Sequence, residues 1–594
     1  MAKVSVAYEK QGRKAIINCD SRCAGWARIK RVCLEASDAA EFTELQIVVP
    51  WWAFVNCQQS INYHISRHNI TLEISKSAEK QIQRATDQRA AYYTAAEALP
   101  INDTDIIGHL RKANFSEARH LSKEQTRNIG RLASMPSGAS FSVPGAGKTT
   151  EALAYYSIKR HPGTRLLVVA PKNAFAAWEE QLSDCLPEEP DQFVRLRGGL
   201  SAIKSLIMDR PKFMLITYHQ LPNVLELITD YLEAEDVIVF LDESHKIKKG
   251  ESGILGNSVL SLSGFPKHKL ILSGTPMPND KSDLVPQFRF LFPEITAHDE
   301  NVIDLFEPVF VRTKKDELGL PDVHYVIQPI PLLPAQRAYY DLLCSELARD
   351  LRPELRLKDK VRMAKAGRSA LRLIRLVSNP ALLLSMNLDQ TDLLSQVAEE
   401  GDGNKIAYAC LKARALASEN KKTIIWSSFL ANIELISDRL SDIGADYIHG
   451  GVETKTDDEE DSREWKIKQF HENPSAMVLV ANPAACGEGI SLHTVCHHAI
   501  YLDRTYNAAQ YMQSVDRIHR FGSTHEKTVE ILVSPDTVDV SVNDRLEKKI
   551  GQMADALNDG SIKQSPIKLD ADSTKLDDDD LGDFLRHIYG QKGS

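Results

Sequence analysis

The sequence predicts an α/β protein in which two tandem parallel-sheet lobes are joined by a helical segment and preceded by a small α+β domain. Three observations predict it. Short β-branched or aliphatic runs alternate with helical periods over two separate stretches, the pattern of parallel sheets. A mainly helical stretch divides them, and the first hundred or so residues follow a different, sparser alternation. At 594 residues, and roughly 100 to 200 residues per domain, about three to five domains are expected.

Residues 1–110 carry the runs Leu45 to Val49 and Ile70 to Ile74 and a helical stretch from Ser77 to Leu99, which read as an accessory α+β domain without a legible role. Trp51 and Trp52, beside Ile47, Val48 and Val49, are expected in its core, with stacking on bases or a partner as the alternative. The first lobe, 111–325, has strand runs at Leu166 to Ala170, Phe213 to Thr217, Val237 to Leu241 and Lys269 to Leu272. The helical segment covers 326–420. The second lobe, 421–558, has runs at Thr423 to Ser427, Met477 to Ala481, Ala499 to Asp503 and Val529 to Val533. Residues 559–594, with the acidic run Asp577 to Asp580, read as a solvated tail; the alternative is a docking helix through Phe584, Leu585, Ile588 and Tyr589.

Composition narrows the class. With 43% hydrophobic and 26% charged residues the chain matches water-soluble globular proteins, and neither a signal-peptide run nor an apolar stretch of membrane-spanning length is present, which places it inside the cell and away from membranes. The nine cysteines include no C-x-x-C pair, and Cys19, Cys23 and Cys33 lack finger-like spacing and an evident fourth ligand, so reduced thiols and no structural zinc are expected. A net charge of −9 argues against coating nucleic acid with the whole surface. Any DNA contact must be local.

Three motifs carry chemistry. After a strand expected at Ala139 to Ser142 comes Val143-Pro144-Gly145-Ala146-Gly147-Lys148-Thr149-Thr150, then an amphipathic helix. Strand, glycine loop and helix is the order of a phosphate cradle: Gly145 and Gly147 let backbone N–H groups turn inward, Lys148 reaches the β and γ phosphates, and the Thr149 hydroxyl ligates magnesium. Ser142 stands where the full pattern has its first glycine, and alone the segment also fits a turn capping a helix. The second motif, Asp242-Glu243-Ser244-His245, follows an apolar run, so the two carboxylates end a strand over the nucleotide. Asp242 suits the metal and Glu243 the attacking water; an ordinary acidic turn is the alternative. The third, Gln513 to Gly522, places Arg517 and Arg520 three apart, hence on one face of a helix, where both reach one phosphate group. Ion pairing with Asp503 or Asp516 is its bland reading.

Taken in order from about 121 to 535, the motifs resemble those of Swi/Snf-like ATPases of the second helicase superfamily. Leu121 to Gln125 is similar to the segment whose glutamine reads adenine, Val169-Ala170-Pro171-Lys172 with Trp178 to the A-P-x-x-x-x-x-x-W block, Ser273-Gly274-Thr275-Pro276 to T-G-T-P, Val311 to Lys315 to R-R-T-K-K, and Leu373 to Pro380 with Leu382 and Leu383 to L-R-x-x-x-x-H-P-x-L. Thr423 to Phe429, Ile448 to Gly450, Gly487 to Ile490 with Leu492, and Gln513 to Gly522 complete the set. Departures are Pro144 to Gly147 for M-G-L-G, Ser244 for alanine or glycine, and Ser523 for glutamine.

The resemblance implies two RecA-like lobes and an ATP hydrolase requiring Mg2+. It implies a catalytic set of Glu243, Gln513, Arg517 and Arg520, with Gln125, Gly145, Gly147, Lys148, Thr149, Thr150 and Asp242 binding nucleotide and metal. It also implies movement along duplex DNA without strand separation. The missing insertions speak against nucleosome remodelling and for a compact motor in repair, transcription recycling or phage defence, with a nuclease as a conceivable partner. An RNA or DNA strand-separating helicase, a restriction-system motor and an ATP-binding scaffold are the rivals. For DNA contact the sequence offers a basic stripe, Lys358, Arg362, Lys365, Arg368, Arg372 and Arg375, spaced three or four apart and interrupted by Gly367; a solvated helix face is the alternative reading.

Overall fold

A computed structural model describes residues 2–9, 14–37, 40–350, 360–383, 391–449, 462–483, 491–520, 522–560 and 587–588. Gly450, the Gly487 to Ile490 motif, Phe521 and the Asp577 to Asp580 run lie outside the described residues, as does Lys358. The chain divides into two compact units, 1–143 with 147–277 and 281–313, and 144–146 with 278–280 and 314–594.

The first unit begins with a five-stranded mixed sheet: β1 (Lys3–Glu9), β2 (Lys14–Cys19), β3 (Glu41–Phe42), β4 (Gln46–Pro50) and β5 (Thr71–Ile74), in the order β3-β4-β2-β1-β5. Alternation places Val4, Val6, Ala15, Ile17, Ile47 and Val49 on one face, covered by Trp26, Ile29 and Cys33 from helix Ala24–Ala36 and by Phe54, Ile61 and Ile65 from helix Trp51–Arg67. The two tryptophans separate. Trp51 packs at the edge of this core against Tyr8 and Phe54, with ring centroids 4.9 and 5.0 Å apart, as expected. Trp52, one residue on along the helix, instead lies under the guanidinium of Arg289, 5.1 Å away in the following domain.

Helix Lys76–Glu97 ties this domain to the next through Tyr92, which packs on Phe288 and Phe292 and donates its hydroxyl to the Leu305 carbonyl at 3.0 Å. A seven-stranded, wholly parallel sheet follows: β6 (Ser137–Ser140), β7 (Arg165–Ala170), β8 (Phe193–Arg195), β9 (Phe213–Thr217), β10 (Val237–Asp242), β11 (Lys269–Leu272) and β12 (Phe310–Val311), ordered β12-β6-β11-β10-β7-β9-β8. Its central strands are buried on both faces, so they read as unbroken apolar runs. The strand before the phosphate loop is Ser137–Ser140, two residues earlier than Ala139 to Ser142; the chain leaves the sheet at Phe141 to build the loop.

The second unit holds a six-stranded parallel sheet: β13 (Val323–Pro329), β14 (Thr423–Trp426), β15 (Ala445–Ile448), β16 (Val478–Ala481), β17 (His498–Tyr501) and β18 (Lys527–Val533), ordered β13-β18-β17-β14-β16-β15. Strand β13 was not legible in the sequence. It runs through 325, where the first lobe was expected to end, and pairs with β18 from Val323↔Lys527 to Pro329↔Val533. As an edge strand it leaves Val326 and Ile327 exposed and lacks the apolar run of its neighbours. Helix Lys360–Ser378 is continuous through Gly367. Its buried face holds Ala366, Ala370, Leu373, Ile374 and Val377.

Candidate functional site

The glycine loop expected to cradle phosphates is set by two glycines in the left-handed region, Gly145 at φ 86° and Gly147 at φ 85°. Gly147 caps helix Lys148–Lys159. A Cβ there would stand 2.1 Å from Nε2 of Gln125, so backbone conformation and space both demand glycine. That contact also brings Gln125 to the loop. Gln125 is itself fixed by a capping box: its Oε1 accepts from the Ser122 N–H at 2.9 Å and its N–H donates to Ser122 Oγ at 3.2 Å. The Lys148 ammonium reaches back over the loop to the carbonyls of Ser142 (2.9 Å) and Val143 (3.3 Å). Thr149 is half-buried at the first turn. Thr150 points elsewhere. Its hydroxyl is buried, donates to Gln181 Oε1 at 2.8 Å and accepts from Arg119 Nη2 at 3.1 Å, so its side chain is committed to the protein and only its backbone faces the loop's helix terminus.

Asp242 ends β10 and each of its carboxylate oxygens is held: Oδ2 accepts from the indole N–H of Trp178 at 2.9 Å, Oδ1 from the Glu243 N–H at 3.0 Å. Burial and the adjacent Glu243 charge raise its carboxyl above the usual range, while Trp178 and Lys148 oppose the rise. Trp178 therefore has a defined task, orienting the acidic group. Glu243 follows at φ 52°, ψ 51°, a left-handed conformation that carries a steric cost for a residue with a Cβ. Burial alone would raise its carboxyl, but the contact with His245 and the charges of His245, Lys148 and Lys246 hold it below the ordinary value. His245 Nδ1 lies 3.3 Å from Glu243 Oε2 and 3.1 Å from Ser273 Oγ, which in turn accepts from the Thr275 N–H. The Asp242 to His245 motif and the Ser273 to Pro276 motif are thereby wired together. Ser244, the departure at this motif, donates to Gln287 Oε1 at 2.6 Å, and Gln287 Nε2 binds the Pro276 carbonyl at 2.7 Å.

Beneath the loop lies a polar network that the sequence reading missed. Ser142, with no exposed surface, accepts from the Thr313 N–H at 3.0 Å. Asn128 Nδ2 reaches Glu151 Oε1 (2.8 Å), Thr313 Oγ1 (2.9 Å) and Ser142 Oγ (3.3 Å), and Ser140 Oγ donates to Glu151 Oε2 at 2.8 Å. Burial raises the Glu151 carboxyl, countered by the Asn128 and Ser140 bonds and the Lys148 charge. The available signal was spacing: Asn128 lies three residues after Gln125 on one helix. Ser142 thus replaces a glycine with a hydroxyl that this network uses.

In the second unit, helix Ala508–Ile518 carries Gln513, buried, and Arg517, half-buried, whose Nε donates to the Gln513 carbonyl at 3.0 Å. The helix stops at Ile518, because His519 leaves helical backbone (φ −124°, ψ 87°) and its Nε2 meets the Pro321 carbonyl at 2.8 Å. Arg520 therefore lies beyond the helix end, and the expectation that both arginines share a helical face does not hold. Asp503 is bonded by Ser427 Oγ and the Ser428 N–H, and Asp516 by Lys315 Nζ at 2.8 Å.

The basic stripe is only partly a charged surface. Arg368 and Arg375 are exposed, Arg375 with its guanidinium 5.3 Å from the Phe429 ring, whereas half-buried Arg372 lies against Tyr339. Arg362 and Lys365 lie on the helix, their side chains outside the described residues. Among the described residues no helix is long and apolar enough to cross a membrane.

Parallel sheet, glycine loop over a helix terminus and an acidic pair at a strand end together define a phosphate-loop nucleotide-binding fold. Within that class the chain belongs to the SNF2-related family: the SNF2-related domain matches residues 47–368, and the helicase conserved C-terminal domain matches 405–522. Similar curated proteins include the chromatin remodeling factor mit1 of Schizosaccharomyces pombe, 24% identical over 68% of this chain and 30% of its own length. Another is the putative ATP-dependent helicase/translocase YwqA of Bacillus subtilis, 24% identical over 68% of this chain and 45% of its own. The chain spans less than half the length of either. The Sulfolobus solfataricus SWI2/SNF2 ATPase core in complex with dsDNA aligns over 77% of this chain and 98% of that one, at 21% identity and a TM-score of 0.33.

Proposed function

We propose that the chain hydrolyses ATP with Mg2+ and uses the energy to move along duplex DNA or to displace proteins bound to it. The observation that carries the reading is the acidic pair: Asp242 oriented by Trp178, and Glu243 kept ionised in a strained backbone at the strand end, both under the charge of Lys148. In this reading Gln125 meets adenine, the Gly145 to Thr150 backbone and Lys148 hold phosphates, and Glu243 aligns the attacking water. The Thr149 hydroxyl and Asp242 carboxylate are hard oxygen donors of the kind Mg2+ takes, and the ion would neutralise charge developing on the phosphate oxygens. Arg517 and Arg520, with Gln513 beside them, serve the γ-phosphoryl group from the second lobe.

The division into an accessory domain (1–110), first lobe (111–325), helical segment (326–420), second lobe (421–558) and tail (559–594) belongs to the same reading, with β13 passing to the second lobe. Similarity to a protein named as a helicase/translocase favours the motor over an idle scaffold. Arg368, exposed on a continuous helix, is the described residue of the basic stripe best placed for a DNA phosphate. Repair, transcription recycling and phage defence are the settings that suit a compact motor, with a nuclease as a candidate partner. The test is ATP hydrolysis measured alone and with duplex DNA, single-stranded DNA and RNA. Stimulation by duplex is expected; stimulation confined to RNA or single strands would replace the translocase with a strand-separating helicase.

A further inference from the structure

Where the N-terminal mixed sheet meets the first parallel sheet, the first unit encloses a cavity of about 350 Å³ unrelated to the ATP site. Its walls include Tyr8, Trp51 and Trp52 from one side and Ser263 and Glu294 from the other, with Arg84 reaching in from helix Lys76–Glu97. Two of these side chains carry a buried polar atom without a hydrogen-bond partner. Arg84 Nη1 and Glu294 Oε2 are both buried and neither makes a hydrogen bond, and Glu294 is only 6% exposed. Buried polar atoms are nearly always bonded, so two orphans lining one cavity point to a ligand that completes them.

We propose that this cavity binds a nucleobase, a planar uncharged ring whose edge carries hydrogen-bond donors and acceptors. The two orphans bear opposite charge types, so a purely cationic binding group would meet Arg84 and a purely anionic one would meet Glu294. A neutral ring edge satisfies both: its acceptors take the Arg84 N–H, and its donors or acceptors meet the Glu294 carboxyl. Burial holds that carboxyl up to about 7, against the charges of Lys269 and Arg89 that face it, so near neutrality it both donates and accepts. Lys269 is already committed to the Ser263 carbonyl at 2.9 Å. Stacking on aromatic walls accepts any base, and edge contacts to Arg and Glu suit guanine or cytosine best. The volume admits a base and part of its sugar rather than a helix. The inference does not rest on the assignment of the ATP site.

The experiment uses the full chain and 2-aminopurine, whose fluorescence falls on stacking, as a free riboside and within a short single strand, with a non-hydrolysable ATP analogue at saturation. Quenching is expected to persist under the analogue and to be competed by guanosine or cytidine. It is expected to weaken about tenfold in Arg84→Met and in Glu294→Leu, the loss of one hydrogen bond to a charged group. Basal ATP hydrolysis should be unchanged in both variants. Arg84 sits on a half-exposed helix face, so its variant carries the test if the Glu294 variant does not fold. A response to the riboside identifies a free nucleoside or nucleotide; a response to the strand alone identifies a base splayed from DNA. No quenching, equal affinity in Arg84→Met, competition by phenylalanine but not by nucleosides, or quenching that the ATP analogue abolishes and guanosine and cytidine do not, which would put the probe in the ATP site, would each overturn the proposal.

Discussion

Asn128→Ala removes the donor that holds together the floor of the phosphate loop, and its cost follows from the contacts. The bond to the Glu151 carboxylate at 2.8 Å is charge-assisted and worth about 1.5–3 kcal/mol, and the one to Thr313 Oγ1 at 2.9 Å about 1 kcal/mol. The 3.3 Å contact to Ser142 is too long to count for much. Glu151 has no exposed surface and would keep only Ser140 as donor, so it takes up a proton and the loss is capped near 3 kcal/mol. Against a domain stability of about 5–15 kcal/mol that is a large share. Urea unfolding should show it, and KM for ATP should rise more than kcat falls, since the loop is displaced while Glu243 is not touched. Adding Glu151→Gln removes the buried charge and should recover at least half of the loss, a coupling that a double-mutant cycle measures. A loss below about 1 kcal/mol, or no recovery in the double variant, would refute the network as a support of the loop.

Three further outcomes are expected. Lys148→Ala should weaken nucleotide binding, whereas Glu243→Gln should retain binding and lose turnover; equilibrium binding beside steady-state hydrolysis separates them, and undiminished turnover in Glu243→Gln would remove it from the water's path. Arg368→Ala should flatten the slope of log affinity for duplex DNA against log salt by about 0.9, one phosphate contact, with DNA-free hydrolysis unchanged, and superimposable slopes would make it a solvated side chain. His519 is held down to about 4 by burial and the Lys315 charge. The folded state refuses a proton that the unfolded chain takes near 6.5, so the stability is complete above that pH and is lost as pH falls towards 4, about 2 kcal/mol by pH 5. Denaturant midpoints at pH 5 and 8 should converge in His519→Asn relative to the parent, and an unchanged pH dependence would contradict the assignment.

The sequence by itself determined whatever a contiguous segment encodes. The runs Leu166 to Ala170, Phe213 to Thr217 and Lys269 to Leu272 became strands within a residue of their expected limits, because a strand covered on both faces must be apolar throughout. The glycine loop before helix Lys148–Lys159 and the acidic pair at a strand end were legible in their placement for the same reason: each lies within eight or four neighbouring residues, and Gly145 and Gly147 mark backbone that other residues resist. Only the tertiary structure decided what depends on distant partners. Thr313 meets Asn128 across 185 residues, and Ser244 finds Gln287 across 43; no local pattern announces either contact. Strand β13 is a strand because β18 offers it an edge, not because its own residues are apolar. Arg517 and Arg520 share helical spacing, yet the helix ends between them where the His519 ring is drawn to the Pro321 carbonyl. Trp51 and Trp52 are adjacent and chemically alike. One packs at a core edge and the other on a neighbouring domain, because successive helical positions point about 100° apart and only the surrounding fold says what lies in each direction.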